Sequence, residues 1–232
     1  MKAISSMATR FLLANLASAA VDAGLPRVDI ESVGGVDAVR RVASGEQFDV
    51  VFLAADQLDK LAADGRVEPA SLTPLVLSQV AVAVPSKSDD PAARPDGAAF
   101  ADAGGLRDVL RAASRIGYST GPSGTALVQA IDEWDLKGEI GDRLVQARAG
   151  IPVSRLLAEG DADLGFQQLS ELVGQPGVRV LGILPPDCAI ETVFSGAIAT
   201  LSKHHAAAER FLKFLSTDES MRIKTEHGFQ LV

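Results

Sequence analysis

"MKAISSMATRFLLANLASAA", residues 1–20, admits two readings. It has the outline of an export signal: a positive start, an apolar run and a small-residue "ASA". It is also the outline of a β-strand that ends at "ISSMATR" and turns into a helix. The spacing favours the second. Leu12, Leu13, Leu16 and Ala20 fall near one helical face, with Asn15 and Ser18 off it. The central segment of a signal is apolar all round. Ser5, Ser6 and Thr9 stand before the run as N-cap candidates. Residues 1–20 are therefore expected to belong to the fold.

The same strand-then-helix pattern repeats along the chain. "VDIESV" (28–33) reads as a strand and Asp37 to Ala43 as a helix. "FDVVFLA" (48–54) is a continuous apolar run, as in a strand buried on both faces of a parallel sheet. A helix from Gln57 to Ala63 and a strand over 78–86, "SQVAVAVPS", follow. Residues 87–105 are rich in Pro, Gly and Asp and read as a surface loop. Helices are expected over 106–113, 124–134, 152–160, 204–216 and 218–229. Strands are expected over 115–119, 143–148, 162–169, 178–184 and 193–201. Ala207, Phe211 and Leu215 should share a buried face, and Gly228 should cap the last helix. Such alternation implies a mostly parallel α/β sheet with helices on both faces.

The 232 residues suffice for one large domain or two small ones. A net charge of −8 argues against a nucleic-acid surface, though not against a small anion held by local amides and arginines. The single cysteine, Cys188, excludes an internal disulfide and has no histidine near it in sequence, so it reads as a small buried hydrophobe. His204, His205 and His227 read as surface residues. No apolar run is long enough to span a membrane. No phosphate loop, dinucleotide fingerprint, GxSxG elbow or metal-ligand spacing occurs, so neither a cofactor nor a metal is expected.

In parallel sheets ligands bind beyond the carboxyl ends of the strands, at helix N-termini. The turns there share a chemistry. "ISSMAT" offers the Ser5 and Ser6 hydroxyls, of which Ser6 points to the ligand side because strand residues alternate. "SVGGVD" offers Gly34 and Gly35, where a ligand can approach the backbone. The turn at 55–57 follows the third strand. "GYSTGPSGTA" crowds Tyr118, Ser119, Thr120, Ser123 and Gly124 around the start of a helix. "RAGIPVS" offers Arg148 and Gly150 ahead of Pro152. Hydroxyls, free N–H groups and helix dipoles together suit an anion.

"ISSMAT", "ESVGGVDAVRRVASGEQFDVVFLAADQ", "SQVAVAVPS", "GPSGTA", "ADLGFQQLSEL" and "FLKFLSTDESMRIKTEHGF" together resemble the type II periplasmic solute-binding proteins, in particular the molybdate-binding branch. The resemblance spans essentially the whole chain. It implies a two-lobed α/β fold, each lobe a mostly parallel sheet flanked by helices, joined by two crossover segments. Lobe I would take 1–80 with 192–232 and lobe II 81–191, with a ligand cleft between them. In that family hydroxyls and backbone amides hold a tetrahedral oxyanion. Ser6 matches the first serine of the pattern, and the second falls on Gly35. The "P-A-G" turn becomes Pro122-Ser123-Gly124, the next amide donor falls near Gly150, and the family's tyrosine falls on Gln168.

Two hydroxyl ligands are thus replaced, and Arg148 can clamp a carboxylate bidentately. Gln167 and Gln168 cannot both face the ligand from one strand, and Gln168 is the one placed there. Ser, Thr, Tyr, Gln and Arg suit a planar polycarboxylate better than a compact oxyanion. The chain also resembles, in fold and overall sequence style, the aconitate isomerases, which interconvert cis- and trans-aconitate. That resemblance implies an allylic proton shift, with Ser6, Tyr118 and Ser123 as candidate shuttles. The alternative is a non-catalytic solute-binding component of an ABC transporter for molybdate or another small anion. The expected partner is the small anion alone, bound by a monomer without nucleic acid or membrane insertion, with a permease only under the transport alternative. The expected location is the periplasm if a signal was removed, and otherwise the cytoplasm.

Overall fold

The computed structural model describes residues 1–88 and 97–232, so residues 89–96 of the expected loop lie outside the described residues. The elements in chain order are β1 (Lys2–Ser6), α1 (Arg10–Asp22), β2 (Asp29–Val33), α2 (Gly35–Ala43), β3 (Val50–Ala54), α3 (Ala55–Ala63) and β4 (Thr73–Pro85). Next come α4 (Ala103–Ala112), β5 (Ile116–Tyr118), α5 (Pro122–Glu133), α6 (Lys137–Ile140), β6 (Leu144–Gln146), α7 (Val153–Glu159), β7 (Leu164–Gln168) and α8 (Leu169–Leu172). The chain ends with β8 (Val178–Ile183), β9 (Glu191–Ile198), α9 (His205–Phe214) and α10 (Asp218–Glu226).

Contacts divide the chain into two units, Met1–Ser78 with Thr192–Val232, and Gln79–Glu191. The chain passes from one to the other inside β4 and again at the start of β9.

In the first unit the strand order is β2-β1-β3-β9. β1 is parallel to both β2 and β3, and β9 runs antiparallel to β3. The period-2 alternation of β3 divides its side chains between two cores. Val50, Phe52 and Ala54 join Leu12, Leu13 and Leu16 of α1 and Phe211 of α9, while Val51 and Leu53 join Ala38 of α2 and Leu58 of α3. Phe52 and Phe211 meet edge to face, centroids 6.2 Å apart. A Cβ on Gly196 would lie 2.6 Å from the Phe52 ring, so the glycine on β9 makes room for that ring. Residues 1–20 are thus integral: Ala3, Ile4 and Ser5 are fully buried in a strand paired on both sides.

In the second unit β7 and β6 flank β5 in parallel, and β4 runs antiparallel to β7 and β8. One face packs on α4, α5 and α6, the other on α7 and α8.

Several boundaries differ from expectation. α2, α3 and α5 each begin two residues before the apolar pattern does, at Gly35, Ala55 and Pro122. The 87–105 loop ends earlier, because Asp102 accepts the Gly105 N–H and starts α4 at Ala103. β4 begins at Thr73, not at 78. Ser6 and Thr9 make no side-chain cap bond, so the capping role expected of them is corrected. Ala208 rather than Ala207 is the buried alanine of α9 beside Phe211 and Leu215. Gly228 follows α10 with φ +75°, as a helix terminator should.

Asp49, just before β3, is 5% exposed and ties three segments together. Its carboxylate accepts the Lys2 N–H at 2.9 Å, the Ser202 hydroxyl at 2.9 Å and the Lys203 N–H at 3.1 Å, and lies 3.1 Å from His204 Nδ1. Burial pushes its pKa up, but these hydrogen bonds together outweigh burial and hold it at about 2. A carboxyl lowered in the folded state contributes stability that is complete above its ordinary pKa and is lost as pH falls through the folded value. Urea unfolding of Asp49→Asn should therefore show a loss of about 2 kcal/mol at pH 7. That difference should shrink between about pH 4 and pH 2.

A Cβ on Gly124 would lie 1.8 Å from the Ser119 carbonyl oxygen, so any side chain there must displace the 119–123 backbone. Gly124→Ala should cost on the order of 3 kcal/mol in the same assay.

Candidate functional site

In the first unit the carboxyl ends of β1, β2 and β3 lie side by side, with Ser6 beside Val33 and Ser5 beside Phe52 in register. The strand alternation separates the two serines. Ser5 is fully buried, donates to the Ser6 carbonyl at 3.2 Å and lies 2.7 Å from the Ser32 hydroxyl. Its polar capacity is used inside the sheet, so the structure does not bring it together with the other expected ligands.

Ser6 is 7% exposed, and its Oγ has no hydrogen-bond partner among the described residues. Thr9 Oγ1, three residues on, is buried and unpartnered in the same way. A buried hydroxyl without a partner costs about 1–3 kcal/mol, so two within four residues is a concentrated unmet demand.

Gly34 and Gly35 open α2, and Ala54 precedes α3; neither helix start carries a side-chain cap. Their first-turn N–H groups and dipoles are thus left for another acceptor. A Cβ placed on Gly35 would lie 3.9 Å from Ser6 Cβ, 3.6 Å from Gln57 Oε1 and 4.0 Å from Gln57 Nε2. Ser6, Gly35 and Gln57 therefore share one small region. The sequence drew attention to the 55–57 turn but not to the Gln57 side chain. Its place in the first turn after a parallel strand was the available signal. Thr9 was read only as a cap.

In the second unit Tyr118 ends β5 beside Gln146 and Phe166, half-buried against the core. Ser119 Oγ and Ser123 Oγ are 2.9 Å apart, and Ser123 is 3% exposed. Gly121 is the N-cap of α5, Pro122 is its first residue, and Gly124 lets the Ser119 backbone lie against the helix. Thr120 is half-buried in the same turn. Ser119, Thr120, Ser123 and Gly124 are thus brought together.

Arg148 is exposed and makes no side-chain hydrogen bond or ion pair among the described residues. Gly150, in the following turn, is exposed with φ +78°. Gln167 is committed: its Oε1 accepts the Val153 N–H at 2.7 Å, holding the first residue of α7, and its Nε2 donates to Glu171. Gln168, its neighbour on β7, is 2% exposed and points to the opposite face.

Cys188 is half-buried. Burial first, then the Asp187 carboxylate, pushes its thiol up to about 11, so at neutral pH it is protonated and a poor nucleophile. Among the described residues no helix is long and apolar enough to cross a membrane.

The chain is 32% identical over 195 residues to an aconitate isomerase from Pseudomonas sp, a match covering 83% of this chain and 71% of that protein. It is 23% identical over 194 residues to YvgL of Bacillus subtilis (strain 168), a candidate ABC transporter substrate-binding lipoprotein, covering 82% of this chain and 70% of that one. The periplasmic molybdate-binding protein of Azotobacter vinelandii superposes with a TM-score of 0.79 at 21% identity, covering 100% and 99% of the two chains. At that identity the likeness establishes the fold, the two-lobed fold of the periplasmic binding proteins. The family profile described as bacterial extracellular solute-binding protein matches residues 2–230, and the chain belongs to that family.

Proposed function

We propose that the protein binds a small polycarboxylate and isomerises it by an allylic proton shift, as an aconitate isomerase does. The observation that carries the anion is the buried, unpartnered Ser6 hydroxyl beside the uncapped start of α2. A donor without an acceptor, next to free helix-start amides, calls for a negatively charged group. The 32% identical relative, an aconitate isomerase, supports this reaction class.

The chemistry asks for two things. The carboxylates must be held so that the three-carbon skeleton keeps its place while the double bond moves. Ser6 with the first amides of α2 can hold a carboxylate in the first unit, and Arg148 is the guanidinium suited to one in the second. A proton must also leave the methylene carbon and return to the former vinyl carbon. The Ser119–Ser123 hydroxyl pair, 2.9 Å apart at the start of α5, can pass a proton between its two oxygens. Tyr118, one residue before it, is the further candidate to hold that proton. We place the protein in the extracytoplasmic compartment that the family description implies.

The transport reading is favoured by one observation, the similarity to YvgL over 82% of the chain. The two readings separate in one experiment. The purified protein is incubated with cis-aconitate and trans-aconitate is followed by chromatography. Conversion above a protein-free control supports the isomerase, and its absence overturns it. Thermal shifts with cis-aconitate, citrate, molybdate and sulfate report the ligand, because a ligand at one hundred times its Kd stabilises by about 2.7 kcal/mol. Stabilisation by molybdate or sulfate alone would overturn the polycarboxylate.

Ser6→Ala should raise the polycarboxylate Kd about 10- to 100-fold, as loss of a hydrogen bond to a charged group does. Arg148→Ala should weaken polycarboxylates at least about tenfold, more at low salt than at high salt. Isothermal titration checks both.

A further inference from the structure

We propose that Gln57 is the specificity-determining residue of the first unit: its carboxamide, beside the side-chain-free Gly35, pairs with a protonated carboxyl group of the ligand and selects against inorganic oxyanions. This rests on the polycarboxylate reading above.

Gly35 is the starting point. Gly124 and Gly196 are glycines by necessity, since a Cβ would lie 1.8 Å from backbone or 2.6 Å from a ring. Nothing of the kind holds at Gly35. Its φ lies outside the left-handed region, and a Cβ would make only ordinary contacts at 3.6 Å and beyond. Neither backbone conformation nor packing accounts for the glycine. What it does is leave room between the Ser6 side chain and the Gln57 carboxamide.

Gln57 is half-buried in the first turn of α3, and its side chain makes no hydrogen bond among the described residues. The other polar groups of this region are the Ser6 hydroxyl, which can donate one hydrogen bond and accept others, and the first N–H groups of α2, which only donate. The carboxamide adds an acceptor and a donor side by side in one plane. A carboxyl group that keeps its proton meets it in a planar pair of hydrogen bonds, O–H to Oε1 and Nε2–H to the carbonyl oxygen. A fully deprotonated tetrahedral oxyanion has only acceptors, so Oε1 faces one of its oxygens unpaired. Buried polar mismatches of this sort discriminate far more strongly than a change of size does.

The test measures binding of cis-aconitate, citrate, molybdate and sulfate to the wild type and to Gln57→Leu, Gln57→Glu and Gly35→Ala. Melting temperatures first establish that each variant is folded. Gln57→Leu should weaken the tricarboxylates at least tenfold and tighten molybdate, collapsing the preference between the classes. Gly35→Ala should weaken tricarboxylates by crowding the carboxamide. Wild-type tricarboxylate affinity should rise between pH 8 and pH 6, and Gln57→Leu should lose that rise. Equal tricarboxylate affinities in wild type and Gln57→Leu would overturn the proposal. If the wild type binds molybdate and no tricarboxylate, the ligand reading fails on its own. Gln57→Leu still decides here: tighter molybdate binding supports the selecting role, and unchanged binding overturns it.

Discussion

Parallel pairing on both sides of β1 is the constraint on which the first unit depends. β1 is hydrogen-bonded to β2 and β3 in the same direction, so all three strands deliver their carboxyl ends to one edge. Each strand then turns directly into a helical start, so three sets of orphan N–H groups converge on that edge. The strand interior can be apolar because its backbone is fully paired. The edge cannot, and the polar residues gather there: Ser6, Gly34, Gly35 and Gln57. Burial of the Ser6 hydroxyl without a partner among the described residues follows from the same geometry, since the strand that hides it also directs it away from Ser5 and Ser32.

This explains which boundaries the sequence concealed. Strands were legible because a run such as "FDVVFLA" has nowhere to go but a sheet buried on both faces, and β3 is buried throughout. Helix bodies were legible from their apolar spacing. The starts of α2, α3 and α5 were not, and each was misplaced by two residues in the same direction. The first residues of these helices are Gly35-Val36, Ala55-Asp56 and Pro122-Ser123. Each pair follows the carboxyl end of a strand in its own unit, where amides, not apolar contacts, decide the conformation, so hydrophobic periodicity begins only after them. The place where the periodicity signal fails is the place where the candidate site lies.

Within the site, alternation along a strand was enough to separate Ser6 from Ser5, and composition was enough to mark the 118–125 turn. A side chain's partner is not written in its residue type. Nothing in the sequence distinguishes Gln167, bonded to the start of α7, from Gln57, which has no such bond. Nor does it separate Gly124, fixed by a carbonyl that a Cβ would strike, from Gly35, where a Cβ would fit. Both distinctions depend on the tertiary neighbours, and both bear on function.

An anion-binding edge of this kind needs little to become catalytic. Binding by neutral hydroxyls and amides leaves the ligand's charge in place, and a carbanion-like transition state would then meet only the field already set by those donors. Holding one carboxyl group in its protonated form changes this. A neutral carboxyl next to the reacting carbon accepts electron density far better than a carboxylate, so the same Gln57 that selects the ligand would also acidify the methylene proton to be removed. The demand on the base that removes that proton would then fall as the carbon acid strengthens. Selectivity and rate would rise together from one carboxamide.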